Sequence, residues 1–174
     1  MNLSDIRFPR QLEADETVEA IRKALMARTV KLWPGGDLDV ARITMNDPLK
    51  KVLQDARLMG RIRCGFEAVS ARLESERKGI MNVRERRGAP YGDRVSRLLL
   101  FSNDGAERFY RHIEFLLRAH APRLLGCLLD IDGCALGNLL TGKDRRIKLV
   151  MAEHKDVVSE TLRTMVAGHD TTSL

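Results

Sequence analysis

The sequence lacks the features of a membrane protein, of a secreted protein and of a protein that disulfides or a zinc site stabilise. No apolar run approaches the ~20 residues that span a bilayer, and the first sixteen residues contain no apolar segment of the signal-peptide kind. The three cysteines are an odd number without paired Cys-x-x-Cys spacing, which argues against a disulfide framework or a zinc site. These absences predict a cytoplasmic protein with no bound metal and no membrane partner.

A catalytic constellation is also missing. The four histidines are scattered without a His-x-x-x-His pair, and no Gly-x-Ser-x-Gly turn occurs. Asp104, Asp130 and Asp132 fall in predicted turns, where Asp and Gly are ordinary residues. They lack the further acidic positions of a calcium loop. We therefore predict no catalytic residue and no cofactor.

Positive charge is what the chain has in excess, and it is localised. The net charge is +6. Residues 51–97 hold 12 basic and 6 acidic residues, whereas the rest of the chain holds 18 of each. A localised basic field favours a polyanionic partner, of which RNA is a natural example.

Apolar periodicity predicts alternating helices and strands after residue 47. The continuous apolar run Leu98–Phe101 is typical of a strand buried on both faces. Residues 79–94, which glycine and proline interrupt, predict a loop. Helices are predicted over 49–59, 66–76, 106–119, 134–140 and 156–166, and strands over 61–64, 95–102, 124–129 and 146–152.

This alternation predicts an α/β fold, specifically a three-layer α-β-α sandwich around a central mixed sheet. The domain is predicted to comprise residues 47–174. Residues 1–46 form a predicted N-terminal extension with a helix over 14–28 and short strands over 29–33 and 40–45. A protein partner could bind through this extension.

Four segments resemble the superfamily of kink-turn-binding ribosomal proteins, of the L-seven-Ae and L-thirty-e type. LKKVLQDARLMGRIRCGFEAV is similar to its first helix, short strand and glycine-opened second helix. SRLLLFSNDGAE resembles its central apolar strand, and DGCALGNLLTGK its Leu-Gly helix followed by a Gly-Lys loop. RRIKLVMAE resembles its last strand. The resemblance covers residues 49–153 and implies an RNA-binding domain.

The sequence departs from the family pattern in two places. The family's RNA-reading helix begins Gly-Thr-Asn-Glu; Gly65 matches its glycine, but Phe66, Glu67 and Ala68 replace the rest. Residues 80–94 stand where the family has a short turn, so we expect an inserted loop there. The first departure removes the amide that would read a purine edge and adds a carboxylate that disfavours phosphate.

The basic stretch and the resemblance together select the candidate RNA-binding residues. Arginine offers a planar fork of donors to phosphate, and a helix N-terminus presents free backbone N–H groups. We expect the candidates to lie on one side of the domain. They are Arg61, Arg63, Gly65, Glu67, Arg84, Arg86, Arg87, Lys143, Arg145 and Arg146, with Arg57 and Arg97 in the same basic set.

The function that these observations predict is non-enzymatic binding of ribosomal or another structured RNA through a basic face. Two alternatives remain open. The same fold can serve as a protein-interaction module, which an exposed apolar patch without a basic face would favour. The chain could also be an RNA-recognition subunit that works with a separate RNA-modifying enzyme.

Overall fold

The computed structural model describes residues 2–88 and 92–167. Its helices are α1 (Arg10–Glu13), α2 (Val18–Ala27), α3 (Asp47–Leu58), α4 (Phe66–Arg87), α5 (Glu107–Ala119), α6 (Gly133–Thr141) and α7 (Lys155–Ala167). Its strands are β1 (Thr29–Lys31), β2 (Asp39–Ile43), β3 (Ile62–Cys64), β4 (Arg97–Phe101), β5 (Leu124–Leu129) and β6 (Leu149–Ala152). Within the described residues, these strands form one sheet in the order β1-β2-β5-β4-β6-β3.

The sheet is mixed, and its strand directions define two edges. β2, β5 and β4 are parallel, whereas β6 is antiparallel to both β4 and β3. The carboxyl ends of β2, β4 and β5 therefore meet at one edge, here called the carboxyl edge. Gly65 lies at this edge too, because its N–H donates to the carbonyl of Leu149 at 2.9 Å. The opposite edge, where β4 and β5 begin, is called the amino edge.

Local signals in the sequence explain where the helices start and stop. The Asn46 side chain accepts from the Leu49 N–H at 2.8 Å and caps α3, whose first turn contains Pro48. Asp132 caps α6 in the same way through the Ala135 N–H, also at 2.8 Å. The helix α6 ends at Gly142, whose φ of 65° suits glycine.

Helices cover both faces of the sheet, which confirms the three-layer α-β-α sandwich. One apolar layer packs α2, α3, α6 and α7 against the sheet, and the other packs α4 and α5. Alternate residues of β4 feed the two layers, Leu98 and Leu100 on one face and Leu99 and Phe101 on the other. Of the apolar residues in the predicted strands, Leu128 is partly buried. Those that are buried include Leu98, Leu99, Leu100, Phe101, Ile147, Leu149 and Val150.

The first 46 residues contribute to the same core and the same sheet. β2 pairs in parallel with β5, and β1 extends the sheet beyond it. Phe8, Leu12, Ile21 and Leu25 are fully buried. These apolar side chains of the first 46 residues therefore pack inside the domain and are not exposed to a partner.

The loop expected over residues 80–94 is wrong as far as Arg87. α4 continues without a break through 22 residues from Phe66 and ends at Gly88, which is left-handed with φ of 59°. Gly79 lies inside the helix, where one glycine costs only ~1 kcal/mol relative to alanine. The neighbouring Arg, Glu, Met and Lys residues favour helix, and basic residues in the last turn complement the helix dipole. Residues 89–91 of the expected loop lie outside the described residues.

In the part of the chain that the structure describes, none of the helices combines the length and the apolar character that crossing a membrane requires.

Candidate nucleic-acid interface

The N-terminus of α4 opens at the carboxyl edge without a side-chain cap. Gly65 precedes the helix with φ of 92°, a conformation that residues with a Cβ rarely adopt. A Cβ built there would meet no heavy atom within 4 Å, so the space beside Gly65 is open. The first-turn N–H groups have no side-chain cap and carry the positive end of the helix dipole. Glu67 is exposed in this turn.

Two arginines from distant parts of the chain converge beside this helix end. Burial raises the pKa of the Cys64 thiol, and the positive charges of Arg57 and Arg145 act against that rise. Both charges thus act on Cys64, directly before Gly65. The Gln54 side chain of α3 donates to the Leu139 carbonyl of α6 at 3.2 Å, so these two helices lie side by side next to this end of α4. Both side chains are exposed, and neither has an ion-pair partner among the described residues.

The loop between α6 and β6 carries a third exposed cation, two residues before Arg145. Lys143 follows Gly142 and has no carboxylate partner within the described ranges. The Arg145 N–H donates to the Lys143 carbonyl at 2.8 Å, which keeps this loop tight. We call Arg57, Lys143 and Arg145 the edge cations. Arg146 is exposed but points towards Asp104, with the two side chains 4.0 Å apart.

Three of the candidate arginines are instead held by carboxylates of the same chain. Arg63 donates to both oxygens of Glu153, at 2.6 and 3.3 Å. Arg97 pairs with Glu76 at 2.7 Å, where both side chains are largely buried. Arg61 lies 3.8 Å from an oxygen of Asp156. The charges of Arg63 and Arg97 are therefore compensated, whereas the exposed Arg61–Asp156 pair is a weak surface contact.

The expectation that all the basic candidates share one side is wrong for Arg84, Arg86 and Arg87. These residues occupy the last turn of α4 and are exposed. At ~1.5 Å per residue, the helix from Gly65 to Arg84 spans roughly 30 Å. We call these three residues the tip cations, because they lie at the far end of the helix from the edge cations.

The aspartates near the carboxyl edge have structural partners. Asp104 accepts from the Ser102 hydroxyl at 2.7 Å and from the Gly133 N–H at 3.0 Å. Burial acts to raise the pKa of Asp104, but these hydrogen bonds and the charge of Lys148 outweigh it, so its pKa is lowered. Asp130 pairs with Arg42 at 2.7 Å, and this hydrogen bond lowers its pKa. Among the described residues, no group of three or more side chains is placed to hold a metal ion.

Sequence reasoning missed a second basic site, a cleft at the amino edge. Its cations include Arg10 and Lys155, which lie outside the basic stretch and far apart in the chain. Only the folded arrangement brings them together, so charge counting along the sequence gives no signal for it.

Comparisons with known proteins found likeness only at the level of structure. No family model matches the chain, and no curated protein matches it. A Bacillus halodurans protein of unknown function is 15% identical, with a TM-score of 0.43 over 71% of this chain and 99% of its own. A 15.5 kD RNA-binding protein of Giardia lamblia is 11% identical, with a TM-score of 0.44 over 73% of this chain and 92% of its own. What this chain binds is therefore inferred below from its own residues.

Proposed function

We propose that this chain is a cytoplasmic, non-enzymatic protein that binds ribosomal or another structured RNA at its carboxyl edge. The edge cations contact phosphates, and the uncapped N-terminus of α4 lies against the RNA backbone. The observation that carries the proposal is the uncapped N-terminus of α4, with Arg57 and Arg145 acting on the preceding Cys64 from elements that pack together, and with neither arginine in an ion pair among the described residues.

Electrostatics supports this assignment over an ordinary solvated face. The half-buried Arg63 and Arg97 pair with carboxylates of the same chain, whereas Arg57 and Arg145 form no ion pair among the described residues. Cations that remain uncompensated next to a helix N-terminus add to the field of the dipole instead of cancelling it. Such a field attracts the closely spaced charges of a phosphate backbone. The sequence resemblance to RNA-binding ribosomal proteins implies a contact surface at the same helix end.

Titration of a hairpin RNA with an internal loop, at several salt concentrations, tests the proposal. Each phosphate contact contributes a slope of about −0.7 to −0.9 to log K against log salt. Replacing all three edge cations by alanine should therefore make the slope shallower by roughly 2 to 3. The matched control replaces all three tip cations by alanine, which removes the same net charge from a site roughly 30 Å away. We expect this control to change the slope by less than about 1.

Comparison of the two variants shows whether the proposal is wrong. Equal losses would mean that the RNA responds only to net charge, and a larger loss in the tip variant would place the RNA at the far end of α4. Circular dichroism should show that both variants fold, since all six residues are exposed.

A protein-interaction module is the second candidate, and one observation favours it. Phe115 is 68% exposed. It lines an apolar groove of about 350 Å³ between α4 and α5, together with Phe66 and His112. Exposed aromatic residues in a groove are typical of docking sites for other proteins. Absence of RNA binding at low salt would favour this function over RNA binding.

A further inference from the structure

The cleft at the amino edge has the composition of an anion site. It has a volume of about 700 Å³, within the roughly 300–1,000 Å³ typical of small-molecule sites. Its described lining includes a single carboxylate, Asp93, which already pairs with Arg7 at 2.5 Å. The basic and hydroxyl side chains that line it are Arg7, Arg10, Arg94, Ser96, Arg123 and Lys155.

The N-terminal segment is fixed in place as one wall of this cleft. The Val95 N–H donates to the Arg7 carbonyl at 2.8 Å, which lays the segment beside the start of β4. Arg94 forms an ion pair with Glu13 and donates to the Phe8 carbonyl at 3.0 Å. These contacts hold the backbone around the cleft, so its shape does not depend on a ligand.

Two of the cations have no ion-pair partner among the residues that the structure describes. Arg10 and Lys155 are exposed and lack an ion pair in the described part of the chain. They come from α1 and from the first residue of α7. Cations gathered in a concave site focus their field into it and raise the local concentration of anions.

Ser96 supplies an independent observation. The residue is only 5% exposed, and its hydroxyl is buried without a hydrogen-bond partner among the described residues. A buried hydroxyl without a partner is unfavourable, and an unsatisfied polar group in a native structure calls for an explanation. Because Ser96 also lines the cleft, rotation of its side chain about χ1 would turn the hydroxyl towards the cleft, where a phosphate oxygen would accept its hydrogen bond.

We propose that this cleft binds a phosphate ester of about the size of a mononucleotide. Arg10 and Lys155 bind the phosphate, and Ser96 donates a hydrogen bond to one of its oxygens. Charge-assisted hydrogen bonds of this kind are the strong ones in anion recognition. The proposal does not rest on RNA binding at the carboxyl edge, because the two sites lie at opposite edges of the sheet.

Isothermal titration calorimetry of the full chain with AMP, inorganic phosphate and adenosine tests the site. AMP should bind, inorganic phosphate should compete with it, and adenosine should not bind because it lacks the phosphate. Arg10→Ala and Lys155→Ala should each weaken AMP binding by on the order of 10-fold, and Ser96→Ala by roughly 3-fold or more. The matched controls are Arg108→Ala and Lys23→Ala, which remove exposed cations elsewhere and should change AMP binding by less than about 2-fold.

A second measurement distinguishes the two possible sources of the phosphate, a free nucleotide and the 5′-end of an RNA. A 12-nucleotide RNA is titrated with and without a 5′-phosphate, against the protein and its Arg10→Ala variant. Competition with AMP that depends on the 5′-phosphate assigns the site to RNA ends, whereas binding of AMP alone assigns it to a free nucleotide.

Three outcomes would overturn the proposal. They are failure of AMP to bind at low salt, equal binding of adenosine, and equal weakening by Arg108→Ala and Arg10→Ala. Replacement of the edge cations should leave AMP binding unchanged, so this site and the RNA interface succeed or fail separately.

Discussion

The two halves of α4 share one helix but differ in what holds them. The half that begins at Gly65 packs on the sheet through Val69 and Leu73, which are buried. Glu76 then pairs with Arg97 of β4. Beyond it, the half that ends at Arg87 contains no buried residue among those described. Ile80 is half-buried there, and Ile80, Met81 and Arg84 line an open cleft with residues 92–93 and 119–124. The helix is therefore anchored mainly over its first three turns.

The two sets of cations also differ in their electrostatic surroundings. At the far end, the tip cations meet the negative end of the helix dipole, which gives them an intramolecular role. At the near end, the edge cations stand beside the positive end of the dipole, where they are mutually unfavourable unless an anion is present. Two sets of three cations thus stand in opposite electrostatic surroundings at the two ends of one helix.

Core truncation should show the largest contrast between the two halves. Leu73→Ala removes a side chain that is 2% exposed, and should lower the free energy of unfolding by about 2–5 kcal/mol. Met81→Ala, in the far half, is 51% exposed at the native side chain and should change it by less than about 0.5 kcal/mol. Urea denaturation followed by circular dichroism measures both. A large effect of Met81→Ala would show that the far half packs more tightly against residues 119–124 than the open cleft between them indicates.

The two glycines of this region should respond to alanine with opposite signs. Gly65→Ala places a Cβ at φ of 92°, and should destabilise the fold by about 1 kcal/mol or more although space is available. Gly79→Ala lies in regular helix with open space around its Cβ, and should stabilise it by about 0.5–1 kcal/mol.

Thermal unfolding of both glycine variants shows directly whether each substitution raises or lowers the stability of the fold. If Gly79→Ala destabilised the protein, the far half would not be a regular helix with open space around residue 79. If Gly65→Ala were neutral, the left-handed conformation before α4 would not be required.

Most of the element order was accessible from the sequence because it depends on local signals. Apolar periodicity, the Asn46 and Asp132 caps and the Leu98–Phe101 run each act within a few residues. The parallel pairing of β2 with β5 was not accessible, since it joins residues more than 80 positions apart in the chain. The far half of α4 was misassigned because glycine and clustered charge are shared by loops and exposed helices.

The candidate site was predicted less completely, because charge compensation is a tertiary property. Arg63 and Arg145 are equivalent in composition, yet Arg63 meets Glu153, which lies 90 positions away in the sequence. Nothing local marks that pairing. Conversely, the proximity of Arg57 to Arg145 emerges only when α3 and the α6–β6 loop are placed beside β3.

The smallest effect concerns the acidic residue in the first turn of α4. Glu67 is exposed and faces the end at which we place the RNA. Replacing it with Asn removes a like charge whose interaction with a phosphate at ~4 Å is worth about 1 kcal/mol in water, so RNA affinity should rise by up to about fivefold. The matched variant Glu85→Asn, among the tip cations, makes the same chemical change at the far end and should leave affinity within about twofold. Both are measured in the hairpin titration at low salt, where screening is weakest. Weaker binding by Glu67→Asn would mean that this carboxylate accepts a hydrogen bond from a base, and a larger gain from Glu85→Asn would shift the RNA to the tip of the helix.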